Sequence, residues 1–216
     1  MDFEQARFNM IEQQIRPWDV LDLDVLETLM AVKREHFVPE ACRNLAFADI
    51  AVPLPGGAAM LEPKLEAKVL QAVAPKKTDK VLEIGAGSGY MAALLAAHAD
   101  WVRSIEIDPA LASFAAANLA RAGIENVIVE EGDGATGWPE RGPYDVIVVS
   151  AGLSAVPTEL LSQLKRGGRL FVFIGAAPVM SGRLVTCTGE GQYSTEDLFE
   201  TLVPALRTKA VSAFTF

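Results

Sequence analysis

The chain has 216 residues, of which 50% are hydrophobic, and its 19 Lys and Arg against 28 Asp and Glu give a formal net charge of -9. This length suffices for one domain with a sizeable core, and the negative charge disfavours nucleic acid as a partner, since phosphate binding needs clustered Lys and Arg. The charged start MDFEQARFNM and the absence of an apolar run of bilayer length indicate no membrane partner and favour a cytoplasmic location.

The N-terminal third is predicted to be mainly helical. Apolar residues at helical spacing predict a helix over 3–15, which Pro17 ends. Asp22 is a candidate N-cap for a second helix, and the prolines and paired glycines of 51–57 favour a loop. A proline in the first turn begins a third helix, which we expect over 63–74.

After residue 75, short strands alternate with helices. The predicted strands are 80–84 (KVLEI), 101–107 (WVRSIEI), 126–129, 144–149 (YDVIVV) and 169–174 (RLFVFI). Helices are expected between them at 90–99 and from Pro109 to Gly123. This alternation predicts an α/β fold with a doubly wound, mostly parallel, Rossmann-like sheet. The tail, GRLVTCTGEGQY and then DLFETLVPAL, has no helix between its β-like runs, which favours antiparallel strands at one edge.

A glycine-rich turn joins the first of these strands to its helix, in the sequence Glu83-Ile-Gly85-Ala-Gly87-Ser-Gly89-Tyr90. Glycines there let a ligand approach the backbone closely, and open parallel sheets bind ligands at the carboxyl ends of their strands. The spacing is GxGxG, and Tyr90 stands where the dinucleotide fingerprint GxGxxG has its last glycine.

Acidic residues follow the next two strands. Glu106 lies at the end of the second strand, where a carboxylate is suited to accept both hydroxyls of a ribose. Asp133, in Gly132-Asp133-Gly134 after the third strand, is a candidate to accept a hydrogen bond near an adenine ring, with Gly134 leaving room for the base. Each signal alone is compatible with a tight turn or a solvated charge. Their occurrence after three successive strands predicts a nucleotide-type ligand.

With its segment VLEIGAGSGY, the chain resembles the class I S-adenosylmethionine-dependent methyltransferases. The resemblance implies S-adenosylmethionine as the cofactor, bound by residues that follow the first three strands. These residues are Glu83, Gly85, Gly87, Gly89, Glu106, Asp133 and Gly134. The first four are implied to line the methionine and ribose side, the fifth to hold the ribose, and the last two to flank the adenine.

Segments beyond this shared core are similar to the protein-L-isoaspartate O-methyltransferase family. In chain order they are REHFVP (34–39), FADIAVPLPGG (47–57), VLEIGAGSGYMAALLA (81–96), GDGATGW (132–138), PYDVIVVSAG (143–152) and LKRGGRLFVFIG (164–175). The resemblance implies methyl esterification of isoaspartyl carboxylates in ageing proteins or peptides, a step that allows their repair. It also implies N-terminal helices and an active-site loop over 1–75 and a cofactor-binding core over 76–216, which we expect to form one compact unit.

The segment 53–64, PLPGGAAMLEPK, departs from the pattern of that family. The family usually has a phrase such as GQTISQP here, whose serine is associated with catalysis. Aligned on the prolines, Leu61 stands at the serine position and Ala59 at the threonine position, so the loop supplies no hydroxyl. Ser150, after the fourth strand of the core, is a candidate substitute. Because a carboxylate acceptor is already ionised at neutral pH, a direct displacement needs no general base, and positioning can supply most of the acceleration.

Three alternatives stay open at this stage. Met60 and Leu61 make the wall of the loop more apolar, which suits a paralogue that methylates another acceptor, although packing is the commoner role of such residues. A protein that binds S-adenosylmethionine without turnover is the second alternative. A nicotinamide-dependent oxidoreductase is the third, and Tyr90 argues against it. Neither the two histidines nor the two cysteines have partners at ligand spacing, so no metal site is predicted.

Overall fold

The computed structural model describes residues 2–209 of the chain. Its helices are α1 (Phe3–Met10), α2 (Leu23–Ala31), α3 (Pro63–Val73), α4 (Tyr90–Ala96), α5 (Pro109–Arg121) and α6 (Thr158–Ser162). Its strands are β1 (Val52–Pro53), β2 (Ala59–Met60), β3 (Lys80–Ile84), β4 (Trp101–Glu106), β5 (Val127–Glu131), β6 (Tyr144–Leu153), β7 (Leu164–Ala176), β8 (Val179–Gly189) and β9 (Gln192–Thr201).

A seven-stranded sheet in the order β5-β4-β3-β6-β7-β8-β9 forms the centre of the molecule. The strands from β5 to β7 in that order are parallel, and β8 and β9 complete one edge as antiparallel strands. The predicted α/β sheet and its antiparallel edge are therefore confirmed. β3 is buried along nearly its whole length, as expected for a strand covered on both faces, and three of its four buried residues are apolar, the exception being Glu83.

Helix boundaries agree with the sequence where a capping residue is present. Asp22 caps α2 by accepting hydrogen bonds from two backbone N–H groups, and Pro63 begins α3 as predicted. The first helix differs, because α1 continues through a π-helical turn (Ile11–Ile15) and a 3-10 turn (Arg16–Trp18). α4 ends at Ala96, earlier than expected, since the N–H of His98 already turns back to the Leu95 carbonyl.

Two strands of the core are longer than the sequence predicted. β6 continues to Leu153, because Leu153 still pairs with β7 and Gly152 forms a bridge with Ala205. β7 begins at Leu164, earlier than the predicted start at residue 169, and its pairing with β6 is irregular in that region. Ser150 therefore lies inside a strand and not after one.

The predicted loop over 51–57 is part of a short hairpin. β1 and β2 pair antiparallel, and the N–H of Leu54 donates to the Ala58 carbonyl at 2.9 Å. Apolar residues of the N-terminal third share one buried cluster with residues of the α/β core, for example Leu29 with Leu94. The boundary at 75/76 stays a prediction. Among residues 2–209, no helix combines the length and apolar character needed to cross a membrane.

Candidate active site

The glycine turn after β3 adopts a conformation that favours glycine at three alternate positions. Gly85, Gly87 and Gly89 have φ angles of 92°, 52° and 83°, all in the left-handed region. The N–H groups of Gly85 and Ala86 donate to the carbonyl of Ile105 on the neighbouring strand. The turn is thus fixed at the carboxyl ends of two central strands, where its backbone faces a cleft.

A cleft opens at these strand ends, the position at which open parallel sheets bind ligands. Its walls come from the glycine turn, the end of β4, the turn after β5, the middle of β6, the hairpin loop and a C-terminal segment. The sequence-predicted residues that line it are Gly85, Gly87, Glu106, Gly134 and Ser150. Residues that the sequence assigned to one site are thus brought together.

Glu106 is held in a fixed orientation at the wall of this cleft. One carboxylate oxygen accepts a hydrogen bond from the Gly87 N–H at 2.9 Å, and the other accepts from the Asp108 N–H at 3.1 Å. Each carboxylate oxygen can accept more than one hydrogen bond. The carboxylate therefore keeps acceptor capacity for a pair of ligand hydroxyls.

Gly89 and Asp133 lie outside the residues that line the cleft. A Cβ at Gly89 would lie 3.1 Å from the Ala115 carbonyl oxygen, so this glycine allows α4 to approach α5 closely. The Asp133 carboxylate accepts from the N–H groups of Ala135 at 3.0 Å and Lys209 at 2.8 Å. The structure thus gives both residues roles in packing and in holding turns.

Glycines also shape the end of the cleft that follows β5. Gly132 and Gly134 line it. A Cβ at Gly134 would lie 2.9 Å from Cγ2 of Ile84, so no side chain fits at that position without displacing the core. This end of the cleft is consequently free of projecting side chains at both glycines.

Glu83 lies in a smaller adjoining cavity of about 270 Å³, which shares Ala59, Gly85, Gly87 and Ser150 with the cleft. Its carboxylate is fully buried and accepts hydrogen bonds from Ser104 Oγ at 2.6 Å and Ser150 Oγ at 3.1 Å. Burial raises the pKa of Glu83 to about 8, against the opposing effect of the two hydroxyls. A cation in this cavity would favour the ionised carboxylate.

Ser150 projects from β6 between the two cavities. Its hydroxyl donates to Glu83, so its proton is not directed at a ligand in the cleft. Ser150 thus lines the cleft, while the hydrogen bond observed there serves the buried carboxylate, and its role as a substitute hydroxyl stays a prediction.

The hairpin loop presents an apolar wall. Ala58 and Ala59 line the cleft, and Leu61, which is only 7% exposed, lines the adjoining cavity. The side chains of these residues carry no hydrogen-bonding group. The loop thus borders the site without offering a hydroxyl to it.

Arg34 anchors this loop, a role that was not predicted from the sequence. Its buried guanidinium donates to the carbonyls of Ala46 at 2.9 Å and Leu61 at 2.7 Å and contacts the Glu66 carboxylate. It also lies over the Tyr90 ring, 5.1 Å from the centroid. Burial raises the pKa of the Glu66 carboxyl, and the adjacent guanidinium acts in the opposite direction. Its place in the segment REHFVP was the sequence feature that could have indicated this role, but its partners are distant in sequence.

A C-terminal segment closes one side of the cleft, and sequence reasoning missed it. The segment, residues 203–207, pairs with β6 through hydrogen bonds of 2.8 Å between Leu206 N–H and the Gly152 carbonyl and between Gly152 N–H and the Pro204 carbonyl. Arg207 lines the cleft and donates to the Gly56 carbonyl at 2.6 Å. From the sequence alone, the residues VPAL (203–206) are predicted only to be part of an edge strand.

Metal chemistry has no candidate centre in the part of the chain that the structure describes. There, no group of three or more His, Cys, Asp or Glu is placed to hold a metal ion. Cys42 and Cys187 are free thiols.

Comparisons with known proteins agree with this geometry. A family profile described as "Protein-L-isoaspartate(D-aspartate) O-methyltransferase (PCMT)" matches residues 5–205. A protein-L-isoaspartate O-methyltransferase of Opitutus terrae is 44% identical over 179 residues, covering 81% of this chain and 77% of the relative. Protein-L-isoaspartate O-methyltransferase 2 of Pelobacter propionicus is 42% identical over 196 residues, covering 90% of this chain and 87% of the relative.

Two solved structures share the fold. One, named protein-L-isoaspartate O-methyltransferase, superposes with a TM-score of 0.79 at 28% identity, covering 94% of this chain and 65% of its own. The other is a Plasmodium falciparum protein named as a candidate of the same kind and solved in complex with S-adenosyl-L-homocysteine. It gives a TM-score of 0.79 at 21% identity and covers 96% of this chain and 99% of its own.

Proposed function

The chain belongs to the protein-L-isoaspartate O-methyltransferase family, and from that premise we propose how its site performs the reaction of the family. It is an S-adenosylmethionine-dependent methyltransferase that methyl-esterifies isoaspartyl carboxylates of damaged proteins or peptides. The observation that carries the assignment of the site is the cleft that Glu106, fixed by two backbone N–H groups, lines together with the hairpin loop. The cytoplasmic location stays a prediction.

The residues of the cleft fit S-adenosylmethionine. In our proposal Glu106 accepts the ribose hydroxyls, the backbone of Gly85 and Gly87 borders the methionine side, and Gly132 and Gly134 leave room for the adenine. The absence of side chains at these glycines supports this assignment. The bound cofactor supplies a methyl group on a positively charged sulfur.

Three further predicted residues take modified roles in this proposal. Glu83 lies in the adjoining cavity, where its carboxylate offers a negative charge to the positively charged end of the cofactor. Gly89 supports the glycine turn through the packing of α4 on α5. Asp133 holds the turn after β5, and its contact with adenine stays a prediction.

The acceptor side works by positioning. An isoaspartyl carboxylate is ionised at neutral pH and attacks without losing a proton, so no side chain must act as a base. The apolar wall of Ala58, Ala59 and Leu61 excludes water from the site, and Arg34 keeps that wall in place through the Leu61 carbonyl. A missing hydrogen bond to a charged acceptor corresponds to about 1.5 to 3 kcal/mol, which slows the reaction without abolishing it.

A second candidate function rests on the same apolar wall. Ala59 and Leu61 stand where the family motif carries hydroxyls, and both line the joined cavities. This environment suits a carboxylate acceptor with more apolar neighbours. The alternative keeps the cofactor and the reaction and changes only the acceptor.

Methyl transfer to paired peptides tests the proposal. Labelled S-adenosylmethionine is supplied with an isoaspartyl peptide or its aspartyl twin, and S-adenosylhomocysteine binding is measured on the same preparation. We expect base-labile label on the isoaspartyl peptide alone. S-adenosylhomocysteine binding with no transfer to either peptide would overturn the acceptor and favour the second candidate or binding without turnover. Loss of S-adenosylhomocysteine binding would overturn the site itself.

A further inference from the structure

Arg207 stands out among the residues that line the cleft. Among the described residues of its lining, the charged side chains are Glu106 and Arg207. The chain as a whole is acidic, with a net charge of -9. Arg207 is consequently the positive charge that this wall presents to a ligand.

The backbone around Arg207 is held in place. The preceding residue donates to Gly152 on β6, so the segment is tied to the central sheet. The guanidinium donates one hydrogen bond to the Gly56 carbonyl and lies 3.9 Å from the Asp108 carboxylate. Its side chain remains 43% exposed. The guanidinium is thus anchored at one N–H and accessible from solvent, and arginine has five N–H donors in total.

An anionic acceptor needs such a group. A carboxylate that enters the cleft meets the negative charge of Glu106, and the hairpin loop offers it no hydroxyl. The planar guanidinium matches the geometry of a carboxylate and forms strong charge-assisted hydrogen bonds with it. Arg207 therefore supplies the attraction that the rest of the lining lacks.

We propose that Arg207 binds the acceptor carboxylate at the mouth of the cleft. This inference rests on the proposed function and adds the residue that recognises the acceptor. One carboxylate oxygen lies on the guanidinium while the other attacks the methyl carbon. The new O–C bond forms as the S–C bond breaks, and the bonding electron pair goes to sulfur. A methyl ester and a neutral thioether result, and no proton moves.

Kinetics of three variants test this role. Arg207→Ala removes the positive charge, and Arg207→Lys keeps the charge without the planar guanidinium. Arg166→Ala is the matched control, because it removes an exposed arginine near the amino end of β7. We expect Arg207→Ala to raise KM for an isoaspartyl peptide about 10- to 100-fold and Arg207→Lys to recover part of this loss. S-adenosylhomocysteine affinity and the kinetics of Arg166→Ala should stay within about twofold of wild type.

Salt dependence separates recognition from a structural latch on Gly56. With recognition by charge, KM for the peptide rises with ionic strength in wild type and much less in Arg207→Ala. If Arg207 only holds the loop, Arg207→Ala weakens S-adenosylhomocysteine binding and leaves the salt dependence unchanged, which overturns the proposal. An unchanged KM in Arg207→Ala, with wild type active, overturns it as well.

A binding measurement covers the case in which wild type shows no turnover. Fluorescence anisotropy with S-adenosylhomocysteine present compares the isoaspartyl peptide with an analogue whose isoaspartyl α-carboxyl is a carboxamide. Wild type should prefer the carboxylate about tenfold or more, and Arg207→Ala should lose that preference. A preference for the carboxylate peptide without turnover contradicts the proposed function and supports binding of the carboxylate by Arg207. If wild type shows no preference for the carboxylate peptide, the proposed role of Arg207 is contradicted.

Discussion

The two walls of the active site are built in different ways. The cofactor wall, formed by the glycine turn, Glu106 and the turn after β5, consists of strand ends whose polar groups are fixed by backbone hydrogen bonds. The acceptor wall, formed by the hairpin loop 53–64 and the segment 203–207, lies outside the central sheet and presents apolar residues and one exposed arginine to the cleft. Because the two walls come from separate segments, the cofactor site can be kept while the acceptor wall varies.

The acceptor wall depends on a buried ion pair for its position. Arg34 and Glu66 are both almost fully buried, and Arg34 also holds the Leu61 carbonyl. Breaking one half of such a pair leaves an uncompensated charge in the interior.

Arg34→Met should lower the free energy of unfolding by about 3 to 5 kcal/mol, because Glu66 is left buried without its partner. Urea denaturation followed by circular dichroism measures the change. Arg183→Met is the control, since Arg183 pairs with Asp197 at a more exposed position on β8 and β9 and should change stability by about 1 kcal/mol or less. A loss below about 1 kcal/mol for Arg34→Met would show that the pair does not anchor the loop.

Gly87→Val should weaken S-adenosylhomocysteine binding about 100-fold or more. The backbone there has a φ of 52°, and an added Cβ would lie 3.3 Å from Leu54 beside the cleft. Calorimetric titration measures the affinity. Gly167→Val is the matched control, because Gly167 also has a positive φ, 78°, yet has no atom within 4 Å of its Cβ position and does not line the cleft. Equal effects of the two substitutions on binding would contradict the assignment of the glycine turn.

Leu61→Ser should raise kcat/KM for an isoaspartyl peptide about tenfold, since it returns a hydroxyl to the acceptor wall. S-adenosylhomocysteine affinity should not change. Leu61→Ala is the control, because it removes the same bulk without adding a hydroxyl. If the alanine variant gains as much as the serine variant, space and not hydrogen bonding limits the reaction.

S-adenosylmethionine affinity should rise severalfold between pH 6 and pH 8 and level off above it. Below a pKa of about 8 the free protein holds Glu83 as a neutral acid. The positive cofactor favours the ionised carboxylate, so binding releases a proton and weakens as the pH falls. Glu83→Gln should bind with an affinity that changes little over this range. A wild-type affinity that does not vary from pH 6 to 8 would show that Glu83 does not face the charge of the cofactor.

The sequence predicted the fold well because its signals are local. Strand β3 and helix α3 with its initial proline have the predicted types because period and capping act over a few residues. Glu106 could be predicted for the same reason, since the end of a strand is visible in the sequence.

The remaining features depend on contacts between distant segments. Arg34 meets Glu66 and Leu61 only in the folded chain. Gly89 belongs to a motif of the glycine turn, yet its closest neighbour is a helix backbone that the motif does not encode. Arg207 reaches the cleft because the segment after β9 returns to β6, and VPAL contains no signal for that return.

The pH dependence of kcat at saturating S-adenosylmethionine and isoaspartyl peptide tests most directly whether the acceptor wall works by positioning. The acceptor is ionised throughout the range from pH 6 to 9, and no side chain must lose a proton in the step. We therefore predict a kcat that changes by less than about twofold over that range. A kcat that rises about tenfold per pH unit would show that a protein group must first be deprotonated, and it would contradict catalysis by positioning alone.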